Sequence, residues 1–188
     1  MDMDEEKCFK RKQSKVIEKL SSEQKWEEVR ALLLELLKND PNDHWLLTQL
    51  SETYYEEKRY EESLLIVARA LIMAPYCPLV LWDYAGTFDM LERDEEAIAI
   101  YKRLIGRGVS RLAYGECGEG IRWARSLVND CRYRLGLIYA RVGKYETAQK
   151  YIKIHIRFRS NNCSSIYKLR DVRKDLISIQ EGKNPRKK

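Results

Sequence analysis

Glycine and proline are scarce, with 9 and 4 in 188 residues. An all-β fold needs many turns, so this scarcity argues against one. No run of about 18 apolar residues occurs, so no membrane-spanning helix is expected. The opening residues, MDMDEEKCFKRK, are charged and lack an apolar segment, so no secretory signal is expected there. Histidine occurs only as His44 and His155. The cysteines, Cys8, Cys77, Cys117, Cys131 and Cys163, show no CxxC spacing. No metal site is therefore expected, and free thiols in a reducing cytoplasm are the simpler reading. No HExxH or GxSxG motif is present, and no Walker or dinucleotide-binding glycine loop. The glycines of GECGEG at 115–120 have no strand before them and no Lys-Ser/Thr after them. Neither a cofactor nor a catalytic constellation is expected. Acid pairs such as Glu61-Glu62 and Glu95-Glu96 fit solvated helix starts, where they favour the helix dipole.

What the chain has in quantity is charge and apolar residues at helical spacing. Hydrophobic residues make up 44% and charged residues 34%. The length suits one domain with a real core. Charge is unevenly spread. Residues 1–104 hold 15 Lys+Arg and 22 Asp+Glu, net −7, whereas residues 105–188 hold 20 and 7, net +13. Such asymmetry steers charged partners.

The chain also repeats itself. WLLTQLSETYYEEKRYEESLLIVARALIMAP (45–75) aligns with VLWDYAGTFDMLERDEEAIAIYKRLI (80–105) at a constant offset of 34 residues. Leu50 matches Tyr84, Tyr54 matches Phe88, Ser63 matches Ala97, Val67 matches Tyr101 and Ala70 matches Leu104. The same shift backwards puts Leu50 on Val16, Tyr60 on Trp26, Val67 on Leu33 and Pro75 on Pro41. A fourth copy, LGLIYARVGKYETAQKYIKIHI (135–156), carries Leu135, Gly136, Tyr139, Gly143, Tyr145, Ala148 and Ile152 in the same frame.

This pattern resembles the tetratricopeptide repeat (TPR), a 34-residue helical hairpin with an L-G-x-x-Y element, G-x-Y, A-x-x-x-F and a closing Pro. Lys58 and Glu92 stand at the turn where the family usually has Gly. The resemblance implies an all-α, right-handed α-solenoid of three to four helix pairs over residues 10–160. Repeats fall near 10–43, 44–77, 78–111 and 129–162, with an insert at about 105–128. Residues 1–9 read as a tail or the start of the first helix, 161–182 as a capping helix and 183–188 as a disordered basic tail. The periodicity supports this frame independently. Each unit carries two apolar stripes, small residues (Ser63, Ala70, Ala97, Ala148) allow close helix approach, and Pro41 and Pro75 stop the second helix. In the cap, Ile166, Leu169, Val172, Leu176 and Ile179 form one stripe, with Ser164 or Ser165 as N-cap. In the insert, Ile121, Ala124, Leu127 and Cys131 continue at helical spacing into Leu135. The spacing predicts that the fourth repeat's first helix extends backwards by about two turns, after a loop at Gly115, Gly118 and Gly120.

The family's useful surface is the concave face lined by first helices. Its positions map here to Trp45, Gln49, Glu52 and Tyr55, then Trp82 and Asp83, then Tyr133, Arg134, Leu137 and Arg141. Arg122, Trp123 and Arg125 lie on the extension, read either as a specificity element or as a brace on the third repeat. Aromatic residues and Arg are common interface anchors. The resemblance implies a non-enzymatic, cytoplasmic adaptor or scaffold whose partner is a protein or peptide. The clamp that some co-chaperone TPR domains use for C-terminal carboxylates is not expected, because no Asn stands at its positions and Asp83 would repel the ligand. Alternatives are a secretion-chaperone-like TPR protein, a self-associating homo-oligomer, and RNA or DNA binding through the basic second half. In KYIKIHIRFRS (150–160), Tyr151 and Phe158 would stack on bases. Helical spacing instead turns Ile152, Ile154 (or His155) and Ile156 to the core.

Overall fold

The computed structural model describes residues 3–186, with side chains from residue 13 onward. Among the described residues there are ten helices and no strand. None of these helices is long and apolar enough to cross a membrane. Two compact units result, Met1–Pro75 and Tyr76–Lys188.

The first unit holds α1 (Met3–Ser22), α2 (Trp26–Asn39), α3 (His44–Glu56) and α4 (Tyr60–Met73). Each helix packs on the next, the stacked-hairpin plan of an α-solenoid. Leu33 and Leu37 of α2, Leu47 and Leu50 of α3, and Val67 and Ala70 of α4 form its buried rows. Among the described side chains of α1 the buried one is Ile17, while Val16, the residue aligned with Leu50, is exposed. The second unit holds α5 (Pro78–Met90), α6 (Asp94–Arg107), α7 (Val109–Tyr114), α8 (Ile121–Arg141), α9 (Tyr145–Ser160) and α10 (Leu169–Gln180). Here α5 pairs with α6, α8 with α9, α8 also packs on α6 and α7, and α10 packs on α9.

One turn is used throughout. The first helix of each pair ends with a residue in the left-handed region, at Gln24, Lys58, Glu92 and Gly143. The first three are spaced by the repeat period. The next residue's N–H returns to a carbonyl five residues back: Lys25 to Leu20 (3.0 Å), Arg59 to Tyr54 (2.9 Å), Arg93 to Phe88 (2.9 Å) and Lys144 to Tyr139 (2.8 Å). This is the Schellman arrangement, which satisfies carbonyls that a helix end would leave without partners. Arg59 lies 4.6 Å over the Tyr54 ring and Arg93 4.4 Å over Phe88. The same arginines pair with Glu62 and Glu96 in the first turn of the following helix. Lys58 and Glu92 thus make a turn that glycine makes with less strain.

Small residues set the distance between paired helices. Ser63, Ala70, Ala97 and Ala148 are all fully buried. The Ser51 hydroxyl lies 2.9 Å from that of Ser63 and 3.0 Å from the Ser63 carbonyl, locking α3 to α4. At Gly136 of α8 the approach is close as well: a Cβ would stand 2.5 Å from Ile152 Cγ1 on α9.

The structure corrects two expectations at the C-terminal end. Helix α10 begins at Leu169 after Lys168, which makes no side-chain cap bond. Ser165 instead accepts the Tyr167 N–H at 3.0 Å, and Ile166 precedes the helix and is 72% exposed. On α9 the second of the two alternatives holds: His155 faces the core and Ile154 faces solvent. Residues 183–186 are no loose tail: Pro185 and Arg186 lie in a turn, and the Arg186 guanidinium reaches Asp89 at 3.2 Å. Residues 187–188 lie outside the described residues.

Candidate interaction surfaces

In the first unit, Leu46, Leu47 and Leu50 turn inward and leave one long face of α3 outward. Asp43 caps this helix, accepting the N–H groups of Trp45 (2.9 Å) and Leu46 (3.1 Å). The outward face carries Trp45 and Gln49, both half-buried, then Glu52 and Glu56, both exposed. Surrounding protein and then the neighbouring Glu56 hold the Glu52 carboxyl above its usual range, opposed by the Gln49 amide 3.3 Å away. Tyr55 packs edge-on against Tyr60 at 5.4 Å. Arg30 of α2 makes a two-bond fork to Glu57, at 2.7 and 3.1 Å, which neutralises that acid.

In the second unit, the groove template fails for four residues, all on α8. Asp89 of α5 is fully buried, and it draws three arginines to itself. Arg134 lies 2.6 Å from it, Arg141 2.8 Å and Arg186 3.2 Å; Arg141 also bonds Asp94. Burying a carboxylate is tolerable only with such partners. Arg134 and Arg141 therefore hold the unit together and are not presented to a partner. Tyr133 is buried as well: its hydroxyl donates to Asp175 of α10 and its ring lies 4.5 Å from Tyr167. Burial, then Asp175, push its hydroxyl pKa strongly up. Leu137 is buried in the core. Trp82, half-buried, packs edge-on against Tyr101 at 5.6 Å, and Asp83 beside it is half-buried.

The inserted segment begins with a helix the sequence reading missed, α7, whose Leu112 and Ala113 are buried. Their spacing with Val109 was the available signal. Its end is wound tightly: the Gly120 N–H bonds the Ala113 carbonyl at 3.0 Å, and a Cβ on Gly118 would stand 2.5 Å from that same oxygen. Helix α8 then runs 21 residues, against 13 for α3 and for α5. It packs on α7, and in its overhang Ala124 is buried, Arg122 and Arg125 are exposed and Trp123 is half-buried.

A second polar cluster joins α8, α9 and the segment before α10, and sequence reading did not foresee it. His155, fully buried, donates from Nδ1 to the Asn129 carbonyl at 2.9 Å, and the Asn129 amide donates to the His155 carbonyl at 3.3 Å. A carbonyl only accepts, which fixes the tautomer. Burial lowers the His155 pKa. Asp130 accepts the Ile166 N–H at 3.2 Å, and burial raises its carboxyl to about 6. Of the two rings proposed for base stacking, Tyr151 is stacked on Tyr139 at 5.6 Å, and Phe158 is covered on one side by Arg132 at 4.6 Å.

Helical hairpins repeating at 34 residues, closed by one recurrent turn and spaced by small residues, define the tetratricopeptide-repeat fold. Solved structures agree on that fold. The chain is similar to a crystallised MamA protein, with a TM-score of 0.61 at 15% identity over 90% of this chain and 87% of that one. A MamA RS-1 ArsTM double mutant gives 0.64 at 13% identity over 92% and 89%. A further MamA crystal structure gives 0.58 at 17% identity over 89% and 94%. No family model matches the sequence, and no curated protein matches it.

Proposed function

We propose that the chain is a non-enzymatic protein-interaction module that holds a basic partner segment against the outward face of α3. One observation carries this reading: Trp45, Gln49, Glu52 and Glu56 share one helix face, with an aromatic anchor beside two acids. Glu52 is held above its usual range by surrounding protein and by Glu56. A lysine or arginine brought there relieves that repulsion, and its apolar neighbours bury against Trp45. Residues 1–75 hold 12 Lys+Arg and 16 Asp+Glu, net −4, so attraction of a cation extends beyond the contact. The fold supports the general class of function, since TPR hairpins present exposed helix faces.

A random peptide display library tests the reading. Selection on the intact chain should enrich peptides with Lys or Arg near an apolar residue. Their affinity should fall at least about tenfold with Trp45→Ala and with the pair Glu52→Gln and Glu56→Gln, a loss of about 1.4 kcal/mol. Enrichment of acidic or uncharged peptides, or equal affinity for the variants, refutes the α3 assignment.

A further inference from the structure

Cys77 and Cys117 are 40 positions apart in sequence and meet in the second unit. Cys77 is the residue before α5 and is 2% exposed. Cys117 lies in the tight turn between α7 and α8 and is half-buried, with its backbone in the left-handed region at φ +56°. Their sulfur atoms lie within 4.8 Å, and the two thiols share a hydrogen bond. The turn fixes this approach: the Gly118 N–H bonds the Gly115 carbonyl at 3.0 Å, and Gly118 has no room for a side chain. The other described cysteines are placed differently. Cys131 is buried within α8, and Cys163 lies beyond α9 near Asp130 and Arg159.

We propose that Cys77 and Cys117 are a reversible dithiol–disulfide pair, oxidised by low-molecular-weight disulfides of the glutathione class, that staples the inserted segment to the start of α5. Cys117, the more accessible, attacks glutathione disulfide, forming a mixed disulfide and releasing one glutathione thiol. Cys77 then loses its proton and attacks the Cys117 sulfur, expelling the second glutathione. Two protein S–H bonds and one small-molecule S–S bond break. One protein S–S bond and two glutathione S–H bonds form, and two electrons pass from the protein to the oxidant. A buried resolving thiol cannot keep glutathione itself, so the internal bond is the end point. Burial, then Cys77, push the Cys117 thiol up to about 12, so the thiolate is rare at neutral pH. The reaction should therefore quicken roughly tenfold per pH unit between pH 7 and 9.

The test uses the full chain, incubated with glutathione disulfide at pH 7, 8 and 9, alkylated, digested without reduction and weighed by mass spectrometry. The expected product is the Cys77 peptide joined to the Cys117 peptide, lighter by two hydrogens than the separate pair and reversed by dithiothreitol. Cys77→Ser should leave Cys117 carrying glutathione, and Cys117→Ser should leave Cys77 unreacted. Three results overturn the proposal: wild-type Cys117 ending as a glutathione adduct, bonds that favour Cys8, Cys131 or Cys163, or an unreacted pair after prolonged exposure at pH 9.

Discussion

Replacing Asp89 by asparagine keeps the shape of the side chain and removes the charge that gathers three arginines. Asp89 is fully buried, and the side chains of Arg134, Arg141 and Arg186 are 10%, 13% and 28% exposed. Removing one partner of a buried pair costs about 3–5 kcal/mol, because the other charge stays out of water. Two circumstances pull the figure toward the lower end. Arg141 keeps Asp94, and Arg186 can turn to solvent. Arg134 cannot. Asp89→Asn should therefore lower stability by about 3 kcal/mol, a large share of the 5–15 kcal/mol typical of a folded protein. Urea unfolding followed by helical circular dichroism measures it. Asp94→Asn is the control: at 19% exposure with one arginine, it should cost about 1 kcal/mol or less. Trypsin should also reach Lys183 sooner in Asp89→Asn, since the turn loses its anchor. If the two variants lose equal stability, or Asp89→Asn loses under about 0.5 kcal/mol, the buried-charge argument is wrong.

Further tests probe the helix contacts and the second polar cluster. Gly136→Ala gains about 1 kcal/mol of helix propensity but meets Ile152 Cγ1 at 2.5 Å, so urea unfolding should show a net loss of up to about 2 kcal/mol. In an Ile152→Ala background the same change should stabilise by about 1 kcal/mol; equal effects in both backgrounds would sink the contact. Glu92→Gly relieves a left-handed residue at φ +56° and should raise thermal stability by about 0.5–1 kcal/mol after the entropy cost of glycine; a fall would mean the turn is unstrained. Asp130 has its carboxyl raised from 3.8 to about 6, so the folded state holds that proton more tightly. Its stabilising contribution is present below pH 3.8 and is lost as pH rises through about 6. Wild-type stability relative to Asp130→Asn should thus fall by roughly 2 kcal/mol between pH 4 and 7.5; a pH-independent difference would refute the shift. His155, lowered by burial, has its Nδ1 3.9 Å from Asp130 Oδ1, so the comparison reads the coupled pair.

The repeat was legible because one geometric rule recurs. Leu33 and Val67 fall 34 apart in sequence, and both are fully buried. The length of α8 was legible for the same reason, since Ala124, Leu127 and Cys131 keep helical spacing with no glycine between Gly120 and Gly136. The groove assignment misled at Tyr133, Arg134, Leu137 and Arg141. A template says where a Cα sits on a helix, not which distant charge the side chain must neutralise. Asp89 stands 45 positions from Arg134 and 97 from Arg186, and nothing local records that pairing. The Asn129–His155 exchange and the Cys77–Cys117 approach are equally long-range.

Helix α8 touches α6, α7 and α9 along its 21 residues, a rod of roughly 30 Å. Repeat arrays often fray one hairpin at a time, because each unit contacts only its neighbours. A single rod shared by three elements removes that freedom. Amides of α7, α8 and α9 should exchange with solvent as one cooperative block, slower than those of shorter pairs. The inserted segment thereby makes the middle of the second unit its last region to open, and the Arg122 end cannot loosen without the His155 end.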